Sequence, residues 1–105
     1  MPKYMAQCSY IGPGVKGLLK DGGTARRAVV EKMIKAVGGK MEAYYYAFGE
    51  KDLYVIADLP DNATMAALSL IVSASGAVVV KTTVLLTPDE LDQASKKSAP
   101  YLPPG

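Results

Sequence analysis

Between Lys3 and Tyr10 the side chains alternate: Tyr4, Ala6, Cys8 and Tyr10 fall on one side, Met5, Gln7 and Ser9 on the other. A period of two predicts a strand. Gly12-Pro13-Gly14 breaks it, and Val15, Leu18 and Leu19 then have the spacing of a short helix that Asp21-Gly22-Gly23 ends. From Thr24 the pattern turns helical. Ala25, Val29, Met33, Ala36 and Val37 make one apolar stripe, widened by Val30 and Ile34, with Arg26, Arg27, Glu31, Lys32 and Lys35 on the remainder. Thr24 is the expected N-cap and Gly38-Gly39 the left-handed stop.

Met41 to Phe48 reads as a tyrosine-rich strand and Leu53 to Leu59 as the next. The link Gly49-Glu50-Lys51-Asp52 is short enough for a hairpin, so these two strands should be antiparallel, with Asp52 steadying the turn. Pro60 stops the second strand, and Asp61 or Asn62 caps a helix from about Ala63 to Ser75 that is apolar nearly all round. Gly76 separates it from Val78 to Leu86, a strand apolar on both faces and so expected to be covered on both. Thr87-Pro88-Asp89-Glu90 is a capping box with proline at the first helical position, predicting a last helix over Pro88 to Lys97. Residues 1–97 read as one domain, and 98–105 as a proline-rich tail without regular structure.

The order is strand, helix, hairpin, helix, strand, helix. With right-handed crossovers this predicts an α+β fold: a ferredoxin-like βαββαβ protomer with a four-stranded antiparallel sheet. Helices cover one face. The apolar character of the second face calls for a second copy, two sheets packing face to face as a dimeric α/β barrel.

Composition narrows the chemistry. The 105 residues contain no histidine and one cysteine. This excludes histidine general bases, Ser-His-Asp triads, histidine-ligated haem and multi-cysteine zinc sites, so no metal or other cofactor is expected, although the same logic leaves open a carboxylate-and-carbonyl site for Mg²⁺ or Ca²⁺. A net charge of +2 gives no basic footprint for nucleic acid. Asn62 to Val80 is uncharged and about as long as a membrane span, but serines and Gly76 divide it into helix and strand, so no membrane partner is expected. The N-terminus carries no signal-peptide pattern, which points to a cytoplasmic protein. Gly12 to Gly17 has the glycine spacing of a phosphate loop, yet Leu18-Leu19 stands where lysine and a hydroxyl are required, leaving a structural turn. Cys8, with no histidine to ionise it, reads as a buried inert thiol.

The run from Tyr44 through Gly49-Glu50-Lys51-Asp52 to Ile56, followed by Pro60-Asp61 and the alanine-rich helix, resembles the GYD-domain family. The Tyr4 strand, Gly38-Gly39 and Ser73-Ala74-Ser75-Gly76 fit the same pattern, so the resemblance spans roughly Lys3 to Leu86. Gly49, Glu50 and Asp52 agree with the naming signature, and Lys51 stands where it has tyrosine. The resemblance implies a ferredoxin-like protomer in a dimeric α/β barrel. It names no activity, since the wider superfamily spans small monooxygenases, isomerases and haem-handling enzymes.

Two sets of residues are candidates for a ligand site. Tyr10, Tyr44 and Tyr46 belong to an aromatic content of 7 Tyr, 1 Phe and no Trp. Tyr44 and Tyr46 share a face with Phe48. Phenols so placed either pack interfaces with their hydroxyls at a wet edge or line a cavity for a flat small molecule whose enolate or phenolate oxygen they hold without metal. Asp58 and Lys81 are charges inside otherwise apolar strands. They serve as an ion pair fixing the dimer register, or as an acid or base of shifted pKa. The first strand lies between theirs, so the pair is expected across the dimer axis or bridged by Gln7 or Thr83. Three functions remain open: a homo-oligomeric protein that binds a small aromatic or enolisable molecule, a metal-free enzyme of monooxygenase or isomerase type, and an accessory subunit whose tail docks a partner.

Overall fold

The computed structural model describes residues 1–105. The elements are β1 (Lys3–Tyr10), α1 (Pro13–Asp21), α2 (Gly23–Ala36), β2 (Lys40–Tyr46), β3 (Leu53–Asp58), α3 (Asn62–Ala74), β4 (Val78–Leu85) and α4 (Pro88–Ser95). All four strands form one sheet, ordered β2-β3-β1-β4, with every neighbouring pair antiparallel. This is the expected α+β, ferredoxin-like order, with α1 added before α2.

The turn between β2 and β3 is tied down twice. The Ala47 N–H donates to the Asp52 carbonyl at 2.9 Å, closing the hairpin. Asp52 then laces it to the end of β1: its N–H donates to the Cys8 carbonyl at 2.9 Å, and its Oδ2 accepts from the Tyr10 N–H at 2.8 Å. The register sets Tyr4 opposite Ala57 and Cys8 opposite Leu53. Directly paired residues face the same way, so Tyr4, Ala6, Cys8 and Tyr10 share the helix-covered face with Leu53, Val55 and Ala57. Met5, Gln7, Tyr54, Ile56, Asp58, Val79 and Lys81 lie on the opposite, open face. A bulge between Met41 and Ala43 interrupts β2. It buries Met41, sends Glu42 to the open face, and returns Tyr44 and Tyr46 to the helix side opposite Val55 and Leu53.

Most helix ends follow the sequence. Asp61 caps α3, its Oδ1 accepting the Thr64 N–H at 2.8 Å. Thr87 and Glu90 form the capping box of α4. Gly38 stops the chain after α2 with φ 83°. Thr24 is not a cap: α2 starts at Gly23, and Gly22 holds the N-cap position with no side-chain hydrogen bond. The buried stripe of α2 is also turned from the expected one. Ile34 is buried with Val30, Met33 and Val37 packed beside it, whereas Ala25, Val29 and Ala36 are exposed. Phe48 lies beyond β2 and is fully exposed. The glycine-rich stretch at Gly12 opens α1, and a Cβ on its buried Gly14 would collide with the Ala77 carbonyl oxygen. Close packing, not phosphate, is what that glycine serves. The uncharged run splits at Gly76 (φ 73°) into α3 and β4, and no helix is long and apolar enough to cross a membrane.

α2 packs along β2 and α3 along β4, over a core that includes Tyr4, Cys8, Leu53, Val55 and Leu59. Only 11 of 105 residues are buried. The protomer covers neither the apolar residues of the open sheet face nor the outer side of α3, where Leu70 is 71% and Ile71 61% exposed. α4 has no buried residue and stands off the body with the tail. The radius of gyration is accordingly 16.6 Å, against about 13 Å for a compact chain of this length.

Candidate functional site

Because α2 and α3 lie over opposite edges of the sheet, a gap remains between them above β1 and β3. It forms a cavity of about 130 Å³. Ala6 and Cys8 contribute to its floor, Val30 and Met33 come from α2, Leu68 and Val72 from α3, and Val78 and Val80 from β4. Of its 19 lining residues 17 are hydrophobic, the exceptions being Arg26 and Ser69. At the Asn62 end, the Tyr4 hydroxyl donates to the Asn62 Oδ1 and ties β1 to the start of α3.

The other end is phenolic. Tyr10 lines the cavity there. The Tyr44 and Tyr46 rings meet edge to face with centroids 5.3 Å apart and hydroxyls 3.2 Å apart. The Tyr46 hydroxyl donates to the Gly23 carbonyl at 2.9 Å. A carbonyl only accepts, so the Tyr46 proton is committed and Tyr44 must be the donor in the Tyr44–Tyr46 pair. Burial raises the Tyr44 pKa far above the ordinary phenol range, and the neighbouring Tyr46 and Tyr10 push it the same way. Burial also raises the Tyr10 pKa, with Tyr44 and Arg26 pulling it back. Tyr10 and Tyr44 are therefore hydrogen-bond donors at neutral pH and not bases. Burial pushes the Cys8 thiol up to about 11, which leaves it protonated and unreactive on the cavity floor.

On the far side of the tyrosines, a shallow open groove of about 420 Å³ runs between α1 and the β2–β3 turn. Tyr10 and Tyr46 line it together with Val15, Leu18, Phe48 and Asp52. Tyr10 thus belongs to both the groove and the cavity.

Asp58 and Lys81 are elsewhere. They lie on the open sheet face, and Asp58 pairs with Lys3, its register partner on β1, at 3.0 Å. Lys3 Nζ also reaches Glu42 Oε1 at 2.8 Å. The two carboxylates raise the Lys3 pKa, Glu42 more strongly. Lys81 is exposed and in register with Gln7, whose Oε1 accepts from the Thr83 hydroxyl at 2.9 Å. Within the protomer Asp58 thus pairs with Lys3 and not with Lys81, because β1 lies next to β3 and separates it from β4. Arg26, which the apolar stripe leaves on the polar remainder of α2, lines the cavity. The i,i+4 row Arg26-Val30-Ile34 was the available signal, since it sets that side chain above the buried positions of α2.

A family model for the GYD domain matches residues 4–95. The chain belongs to that family. No curated protein and no solved structure gives a match. In this GYD domain the signature turn carries Asp52, the residue that binds the hairpin to the end of β1. Lys51, at the place of the signature tyrosine, lines neither the cavity nor the groove.

Proposed function

We propose that this GYD domain is a small homo-oligomeric protein that binds one small, flat, largely apolar molecule without metal, in the cavity between α2, α3 and the sheet. The cavity itself carries the reading. About 130 Å³ walled almost wholly by apolar side chains is close to the roughly 150 Å³ of an apolar cavity that accepts benzene. Of the three candidate tyrosines only Tyr10 lines the cavity, and its ring offers a flat ligand an aromatic wall at one end. The chain has no histidine, and its thiol is inert, which favours binding over catalysis.

The oligomer forms part of the same proposal. Met5, Tyr54, Ile56 and Val79 give the open sheet face an apolar character that water-facing sheets avoid. A second copy laid face to face would cover it.

Titrating the full-length protein with single-ring aromatics, followed by calorimetry or NMR, tests the cavity. Saturable binding is expected in the wild type and its loss in Ala6→Leu, which fills the floor. Equal binding by that variant, or no binding by the wild type, would sink the reading. Light scattering tests the assembly: a mass of at least twice 11.1 kDa is expected, and a stable monomer at micromolar concentration would contradict it.

A further inference from the structure

α4 and the tail that follows it leave the body without covering any of it. Leu91, Tyr101 and Leu102 are exposed, and Ser98 to Gly105 form no regular hydrogen-bonded structure. The tail lies beyond the residues that match the family. Its sequence nevertheless restricts its shape. Pro100, Pro103 and Pro104 fix their own φ, and each biases the residue before it toward the extended region. The favoured conformation is the polyproline II helix, with three residues per turn. Lys97, Pro100 and Pro103 then share one edge, a Pro-x-x-Pro pattern with a basic residue one turn ahead.

The open groove beyond the tyrosines has the complementary composition. Tyr10, Tyr46 and Phe48 bring three aromatic rings to it, and Val15 and Leu18 form its α1 side. Aromatic-lined grooves take proline segments because such a ligand is already extended and loses little entropy on docking. Nothing in the protomer covers the Phe48 ring. Asp52 is the one charged residue of the lining. Its Oδ2 accepts from the Tyr10 N–H, and it pairs with no cation of its own chain. Lys97 likewise pairs with no anion.

The chain's own tail departs from the wrong end of the sheet. β4 finishes at Leu85, opposite Lys3, whereas the groove opens beside Tyr10 at the other end of β1. The length of that strand separates them, about 25 Å at roughly 3.3 Å per residue. A second copy related by a two-fold axis across the strands presents its groove at the end from which this arm leaves. The exchange is then reciprocal and closed.

We propose that the groove between α1 and the β2–β3 turn receives the proline-rich tail of a second copy, with Pro100 and Pro103 seated on the rings of Phe48, Tyr46 and Tyr10, and Lys97 paired with Asp52. The contact does not depend on what the cavity binds, and it is separate from the packing of the two open sheet faces.

Phe48 is the only phenylalanine of the chain, so fluorophenylalanine gives a single NMR signal, and that signal reports the groove. Full-length protein labelled in this way is mixed with full-length protein that carries a nitroxide on Gly105→Cys, the buried Cys8 being out of the reagent's reach. The Phe48 signal is expected to broaden and lose intensity in the mixture. Pro100→Ala together with Pro103→Ala in the nitroxide-bearing copy should restore the intensity, and Lys97→Glu should restore part of it, with the circular dichroism of each variant unchanged. Broadening only when nitroxide and fluorophenylalanine share one chain would mean that the tail folds back on its own body. Broadening that survives the proline substitutions would mean that the proline helix is not what docks. No broadening in either arrangement would leave the groove to another occupant. Each of these three results overturns the proposal. None of them touches the cavity reading or the sheet-face dimer, which aromatic titration and light scattering test separately.

Discussion

Cys8 illustrates how a single position is decided by its surroundings. It alternates onto the covered face of the central strand β1, is buried, and forms part of the cavity floor. Desolvation penalises the thiolate and pushes the thiol up to about 11. In the folded protein at about pH 8, an aromatic disulfide reagent should therefore modify Cys8 far more slowly than the one thiol of the denatured chain, where the ordinary pKa returns. Equal rates in the two states would remove the thiol from the interior. This much was legible in the sequence, because strand alternation assigns a face and the absence of histidine removes the usual activator. The Lys3–Asp58–Glu42 cluster was not. Lys3 is the first residue of its strand, and hydrophobic pattern does not reveal which residue a strand end meets across a register. Glu42 joins it only because of the β2 bulge.

At the scale of elements, local chemistry and tertiary packing can be told apart. α3 has the cap that the sequence announces: Asp61 accepts from the Thr64 hydroxyl and backbone N–H at 2.7 and 2.8 Å. The Thr64 hydroxyl is the larger cause of the lowered Asp61 pKa and the backbone N–H the second. A carboxyl whose pKa is depressed by folding stabilises the fold above its unfolded value, here 3.8, and loses that contribution as pH falls through the folded one. Asp61→Ala should lower the denaturation midpoint at neutral pH, and the gap from wild type should close progressively as the pH is taken below 3.8. A gap that stayed constant into acid would mean the carboxylate is not the cap. α4 has an equally good capping box but buries nothing, so it rests on local signals alone. α2 marks where pattern reading fails. Ala25, Val29, Val30, Met33 and Ile34 leave apolar residues on too wide an arc for the periodicity to choose its phase. The side that won is the one aligned with β2, and it carries Arg26 to the cavity.

For the whole molecule, the sheet order was readable from connection lengths and handedness, and the hairpin from its short turn. The cavity was not, because it arises from the separation of α2 and α3, a distance that no single helix encodes. The excess of hydrophobic surface was legible too: Leu70, Ile71 and Val79 remain exposed in a protomer that buries 11 of its 105 residues.

The gap between α2 and α3 also has a mechanical meaning. Empty internal volume is lost when a chain unfolds, so compression favours the unfolded state in proportion to it. With an apolar cavity of about 130 Å³ that is partly open to solvent, this domain should unfold under hydrostatic pressure with a volume decrease of at most the order of tens of mL/mol. The Ala6→Leu variant, with its floor filled, should show a smaller decrease, and a bound aromatic ring should reduce it in the wild type. Pressure-resolved fluorescence of the tyrosines would read both. If filling the floor left the volume change untouched, the void would not be a permanent part of the native structure.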